Sequence, residues 1–190
     1  MSEKYPVTSM QVYLSYHLTQ KRFAHSVRTA EYMRTLCENY GFSISQGYFA
    51  GLCHDIARDM RKKVLKDLSA RDGQKIRKWE DQDPVLLHGR AGAVLLGEYF
   101  GIADMEILDA VRYHTYGAPQ MGNLAKLLFI ADYTEPGRKH VDEGFGNGVL
   151  QNSIDKNVRT ILEKTFAHLE ENDNIPVKPS QDLLKILKQE

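Results

Sequence analysis

The sequence predicts an all-α fold, and three observations carry that expectation. Apolar residues recur at three- and four-residue steps along most of the chain. No stretch of useful length alternates apolar with polar residues, and no internal repeat is present. Residues that start and stop helices punctuate the apolar pattern.

Between Ser9 and Tyr40 the periodic set is Val12, Tyr13, Tyr16, Phe23, Val27, Ala30, Met33, Leu36 and Cys37. That span is long for one globular helix, so a break is expected near Thr19-Gln20-Lys21, with Gly41 closing the second helix. A third helix is expected from about Gln46 to His54, capped by Ser43 or Ser45. Residues 58 to 83 are dense in charge, as in Arg58-Asp59-Met60-Arg61-Lys62-Lys63. They read either as a solvated cover over one end of a bundle or as a cationic wall beside an anionic substrate.

Asp83-Pro84 is a helix-start signal for a helix carrying His88, Ala91, Val94, Leu95 and Tyr99 up to Gly101. Asp104 caps the next, through Ile107, Leu108 and Val111 to His114. Gly117-Ala118-Pro119 breaks the chain before the apolar stretch Leu124 to Tyr133. Glycine-rich Glu143 to Gly148 reads as a loop, and Val149 to Glu171 as one long amphipathic helix. After the connector Ile175-Pro176-Val177-Lys178-Pro179, Ser180 is expected to cap a short last helix. Its Leu183, Leu184, Ile186 and Leu187 suit packing either within the chain or against a second copy in a homodimer.

A chain of 190 residues suits one hydrophobic core. The 25 Lys and Arg equal the 25 Asp and Glu, which argues against nucleic acid or an anionic membrane as partner. No apolar run approaches the ~18 residues that span a bilayer, and the opening residues are polar, so a cytoplasmic protein is expected. Cys37 and Cys53 form no CxxC pair and read as buried free thiols.

The chemistry is concentrated in an ordered series: His25, His54-Asp55, His88, His114 and Asp132. Any one of these taken alone reads as a hydrogen-bonded core residue, as His17, His140 and His168 do. Together they make a nitrogen and oxygen ligand set without thiolate. Such a set suits iron, manganese, cobalt or zinc at a catalytic centre rather than a structural zinc or a calcium site. His54 and Asp55 diverge by about 100° on a helix, so they flank a cation rather than point together. Asp132 ends an apolar run, and a buried carboxylate needs a cation or a strong hydrogen-bond donor.

The order of those six, with the words Ala50-Gly51-Leu52-Cys53-His54-Asp55-Ile56-Ala57, Leu87-His88-Gly89, His114-Thr115-Tyr116-Gly117 and Ala131-Asp132-Tyr133-Thr134-Glu135-Pro136-Gly137-Arg138, resembles the HD-domain metal-dependent phosphohydrolases, in particular the YqeK-type branch. The likeness runs from about Arg22 to Glu171. It implies a single HD-type domain over 1–190, with a helical-bundle core at about 20–171, a buried metal site, and a C-terminal extension at 172–190. It also implies symmetrical hydrolysis of diadenosine tetraphosphate to two ADP at two divalent metal ions, most simply iron. By position, His25, His54, Asp55 and Asp132 would hold one ion, and Asp55, His88 and His114 the other, with Asp55 bridging. Arg58 stands where that branch more commonly has lysine, which exchanges a point cation for a planar fork.

The other roles expected from the residues follow from a polyanionic substrate. Arg58 and Arg138 stabilise charge beside the catalytic Asp55, and Arg22, one turn before His25, is a third phosphate contact. Thr115 and Gly117 shape a loop beside the second ion, and Glu135 orients a ligand or pairs with Arg138. Two rival chemistries share this ligand order: oxidation of a small polar substrate at a di-iron centre, and hydrolysis of other nucleotides. A third rival is a non-enzymatic nucleotide-binding domain, disfavoured because all six ligand positions are filled.

Overall fold

In a computed structural model, residues 5–139, 141 and 143–189 are described, and every regular element among them is helical. Helix α1 (Val7–His17) and helix α2 (Gln20–Tyr40) part at Leu18-Thr19, where the break is expected, and Gly41 closes α2 in the left-handed region. Helix α3 (Ile44–Cys53) begins two residues before Gln46. The Ser43 hydroxyl accepts the Gln46 N–H, a cap worth about 1 kcal/mol.

The charged segment is neither a simple cover nor an open cationic wall. It holds α4 (Lys62–Ser69), a 3-10 turn (Ala70–Asp72) and α5 (Lys78–Gln82), folded around the buried Arg90 of α6 (His88–Tyr99). The Arg90 guanidinium donates to Asp72 and Glu80 and to the carbonyls of Ser69 and Gln74. Leu65 and Leu68 pack with Leu87, Ala91 and Val94 in a small apolar cluster beside it.

Four expected boundaries differ. Asp83-Pro84 opens a 3-10 turn (Pro84–Leu87) ahead of α6, and the Asp83 side chain caps nothing. Glu143 to Gly148 is a short helix, α9, rather than a loop, with Phe145 packed on the main core. The long helix expected from Val149 is interrupted. A 3-10 turn (Val149–Gln151) precedes α10 (Ile154–Glu171), which Ser153 caps. The Tyr40 hydroxyl lies 2.5 and 2.8 Å from the carbonyls of Val149 and Asn152, and Asn157 also donates to Val149, so these carbonyls are spent outside a helix. Finally, α11 (Lys178–Leu187) starts with Pro179 in its first turn, and Ser180 donates instead to the Tyr116 carbonyl. The buried Leu183, Leu184 and Leu187 of α11 join the main core, so this face packs at home.

The remaining helices are α7 (Met105–Tyr113), capped by Asp104 as expected, and α8 (Asn123–Thr134). Both cysteines are free and buried, which pushes the Cys37 thiol up to about 11. The main core lies where α2, α3, α7 and α8 meet. Two glycines set how closely they approach. A Cβ on Gly51 would lie 2.8 Å from the Ala30 Cα, and one on Gly89 would lie 2.9 Å from the carbonyls of Val111 and Arg112. So α3 closes on α2, and α6 closes on α7, only because those positions lack side chains. Each crossing carries a histidine from either helix to the same place.

Candidate metal centre

His25 projects from the second turn of α2. His54 caps the C-terminus of α3, and Asp55 follows it. His88 opens α6, His114 caps the C-terminus of α7, and Asp132 lies near the end of α8. All six meet. Their ligand atoms form three overlapping groups, His25 with His54 and Asp55, His54 with His114 and Asp132, and Asp55 with His88 and His114. Within each group the atoms lie within 4.8 Å of one another.

Hydrogen bonding on the outer ring nitrogens decides which nitrogen faces inward. The Nδ1 atoms of His54, His88 and His114 lie 2.7, 2.6 and 2.8 Å from the carbonyls of Gly51, Val85 and Val111, each three residues earlier. A carbonyl only accepts, so each Nδ1 carries the proton and each Nε2 presents a bare lone pair. His25 Nδ1 lies 3.1 Å from the Glu135 carboxylate, with the same consequence. Yet His25 Nε2 is 3.1 Å from His54 Nε2, and His88 Nε2 is 2.9 Å from His114 Nε2. Two lone pairs at that distance repel unless a cation or a proton lies between them. Thr115 can donate to His88 Nε2, and Arg138 to His25 Nε2. No side-chain donor of the described residues faces His54 or His114 in that way.

The carboxylates complete the set. Asp132 Oδ1 is 2.9 Å from His25 Nε2 and 3.7 Å from His54 Nε2. Asp55 divides its two oxygens. Oδ1 faces His88 Nε2 at 3.2 Å and His114 Nε2 at 3.8 Å, while Oδ2 lies 3.8 Å from His54 Nε2. Burial lowers His54 to about 4 and lowers His88 as well, favouring the neutral, ligating imidazole. For His114 burial also opposes the charge, but hydrogen bonding to Asp55 and the field of Asp132 carry it above its ordinary value. Burial alone would raise both aspartates. The surrounding histidines, with Arg138 beside Asp132, hold them below the usual carboxylate range. This donor set of imidazole nitrogen and carboxylate oxygen, with inward lone pairs in want of positive charge, fits divalent cations.

Three guanidinium groups surround it. Arg22 and Arg58 approach Asp55 at 3.7 and 4.0 Å, and Arg138 bonds both the carboxylate and the carbonyl of Asp132. A cavity of about 930 Å³ opens from His114, Thr115, Asp132 and Arg138 and runs along α10 to the Asn174–Val177 connector. Two expected substrate contacts are engaged elsewhere. Glu135 is 1% exposed, just beyond the end of α8, and its oxygens accept from Arg28, His25 and the Gly137 N–H. Arg138 is 4.0 Å away from it. Gly117 has φ 73°, but a Cβ there would meet Leu183 of α11 at 2.8 Å, so helix packing fills the space expected for a ligand.

Sequence reasoning passed over Arg28 and Asp59. Arg28 sits three residues after His25 and hence on its face, and Asp59 sits four after Asp55 and takes the Arg22 guanidinium at 2.6 Å. His168, set aside as a core histidine, lines the cavity, whereas His17 bonds the Tyr13 carbonyl within its own helix. His140 lies outside the described residues.

A profile of the HD domain matches residues 22–137, which hold all six converging side chains. The chain is 36% identical over 166 residues to a Staphylococcus aureus (strain NCTC 8325 / PS 47) protein named symmetrical bis(5′-nucleosyl)-tetraphosphatase. That match covers 82% of this chain and 81% of that protein. A Bacillus subtilis (strain 168) protein of the same name is 36% identical over 121 residues, covering 64% of each. A crystal structure from Clostridium acetobutylicum, described as a predicted HD superfamily hydrolase involved in NAD metabolism, superposes with a TM-score of 0.91. It does so at 25% identity, over 97% of this chain and 98% of that one. The sequence profile, the relatives and the shared architecture agree: the chain belongs to the HD-domain family.

Proposed function

We propose that this protein hydrolyses dinucleoside polyphosphates symmetrically, taking diadenosine tetraphosphate and water to two ADP at a pair of divalent cations. The observation that carries this reading is the division of Asp55. One oxygen faces the His88–His114 pair, while the other lies toward His54, which is paired with His25. His25, His54, Asp55 and Asp132 would hold one ion, and Asp55, His88 and His114 the other. When bound, such cations neutralise phosphoryl oxygens and acidify water, which suits attack on a phosphoric anhydride.

The chain's own groups account for the rest. Arg138 on one side and Arg22 with Arg58 on the other present planar cations to the oxygens of a tetraphosphate bridge. Thr115, 3.3 Å from His88 Nε2 and at the cavity wall, offers a hydroxyl to the same bridge. Trp79, Phe129, Ile161, Leu162 and Phe166 give the cavity apolar walls on which a nucleoside half can pack. Iron is the proposed native metal, with manganese, cobalt and zinc suited to the same donors. We read the whole chain as one such domain, acting in the cytoplasm; no helix among the described residues is long and apolar enough to cross a membrane.

The test is product identification from diadenosine tetraphosphate with purified protein and Fe²⁺ or Mn²⁺, with oxygen excluded. Two ADP per substrate under anaerobic conditions is the expected result. ATP plus AMP would overturn the symmetrical assignment, and turnover only with oxygen would favour the oxidative chemistry instead.

A further inference from the structure

The four histidines are alike in direction and unlike in support. Three of them rest Nδ1 on a backbone carbonyl of their own helix or turn. His25 alone rests Nδ1 on a carboxylate, and that carboxylate comes from 110 residues away. Glu135 is held in turn by a two-point contact from Arg28, Nε to Oε2 at 2.7 Å and an NH2 to Oε1 at 3.0 Å, and by the Gly137 N–H at 2.6 Å. The carboxylate is therefore fixed in place before any ligand arrives. It only accepts, so it locks the His25 tautomer, and its full negative charge drives more electron density toward Nε2 than a neutral carbonyl does.

We propose that Glu135, clamped by Arg28, is a positioning residue that makes His25 the strongest imidazole donor of the four and so makes the two cation positions unequal. The position built on His25 and His54 holds its ion more tightly than the one built on His88 and His114. This rests on the two-cation reading given above. Glu135 touches neither substrate nor cation and acts only through His25, which also explains why it faces away from the cavity.

The experiment is calorimetric titration of the full-length, metal-stripped protein with Mn²⁺. The His88→Ala variant assigns the phases, since it should remove the one that depends on His88. Glu135→Gln keeps a hydrogen-bond acceptor and discards the charge. It should weaken the phase that survives in His88→Ala by about 10- to 100-fold and leave the other within about twofold. In ¹⁵N-histidine spectra the His25 Nδ1 signal should move while the three carbonyl-bonded rings keep theirs. A loss that falls equally on both phases, on neither, or on the His88 phase overturns the proposal. A wild-type protein that takes up no Mn²⁺, or a single ion, overturns the two-cation reading and this inference with it. Should Glu135→Gln not fold, Arg28→Met leaves the carboxylate in place but unclamped. It should shift the same phase by about threefold to tenfold, and an unchanged phase there counts against the proposal.

Discussion

Among the described residues, two clusters of buried charge are built on opposite principles. Around Arg90, one guanidinium meets two carboxylates and two carbonyls, and the Tyr116 hydroxyl and Arg77 N–H complete Glu80. Every strong donor there has an acceptor. Around Asp55 the balance differs: four imidazole lone pairs crowd two carboxylates, and among the described residues no side-chain donor faces the His54 and His114 lone pairs. A satisfied cluster stabilises a fold and asks nothing of solution. An unsatisfied one costs stability and is retained for what it binds.

The largest expected effect tests the unsatisfied side. Asp55→Ala removes the carboxylate that both histidine pairs face, so turnover should fall roughly 10³-fold or more and bound metal should be lost, as should happen in His54→Ala. Helical content by circular dichroism should stay near wild type. Full activity in either variant would break the contrast.

Arg90→Met tests the satisfied side. Leaving Glu80 and Asp72 without their cation should cost about 3–5 kcal/mol in urea unfolding, and the charged segment from Arg58 to Asp83 should become sensitive to protease. Wild-type stability in this variant would mean that the network contributes specificity rather than energy.

Gly89→Ala sharpens the link between packing and site. The added methyl must displace the last turn of α7, at a cost of about 1–3 kcal/mol, and should separate His88 from His114. Metal uptake should then fall further than the stability loss explains. An unaltered metal stoichiometry would show that the pair tolerates a wider crossing.

The smallest effect concerns Asp104, a satisfied carboxylate nearer the surface, which accepts from the Tyr5 hydroxyl at 2.7 Å and from Gln46. Burial would raise its pKa, but Tyr5, Gln46 and the backbone N–H groups of Ile107 and Glu106 bring it below the ordinary value. Because the folded pKa is the lower one, its stabilisation is complete above the unfolded value of about 4 and is lost as pH falls through the folded value. Asp104→Asn should therefore cost about 1 kcal/mol at pH 7, with the gap to wild type closing in unfolding experiments below pH 4. A gap that persists at pH 2 would assign the cost to packing.

Much of this was legible in the chain because it is local. The break at Thr19, the caps at Ser43 and Asp104 and the close of α2 at Gly41 depend on a few neighbouring residues and backbone conformation. The misread places depend on distant partners. Tyr40 and Asn157 hold the carbonyls that interrupt the expected helix at Val149, and Arg90 organises a charge-rich segment that in sequence reads as a solvated cover or a cationic wall. Glu135 could be suspected of orienting a ligand, but its partner Arg28 lies 107 residues away in sequence.

By itself the sequence determined the helical periodicity, the choice of imidazole and carboxylate side chains and their order along the chain, since these follow from side-chain chemistry and short-range spacing. Only the tertiary structure decided which imidazole nitrogen turns inward, which oxygen of Asp55 serves which pair, and which carboxylate supports His25. Those outcomes depend on hydrogen-bond partners and close approaches that helix crossings create, and no local pattern encodes a crossing.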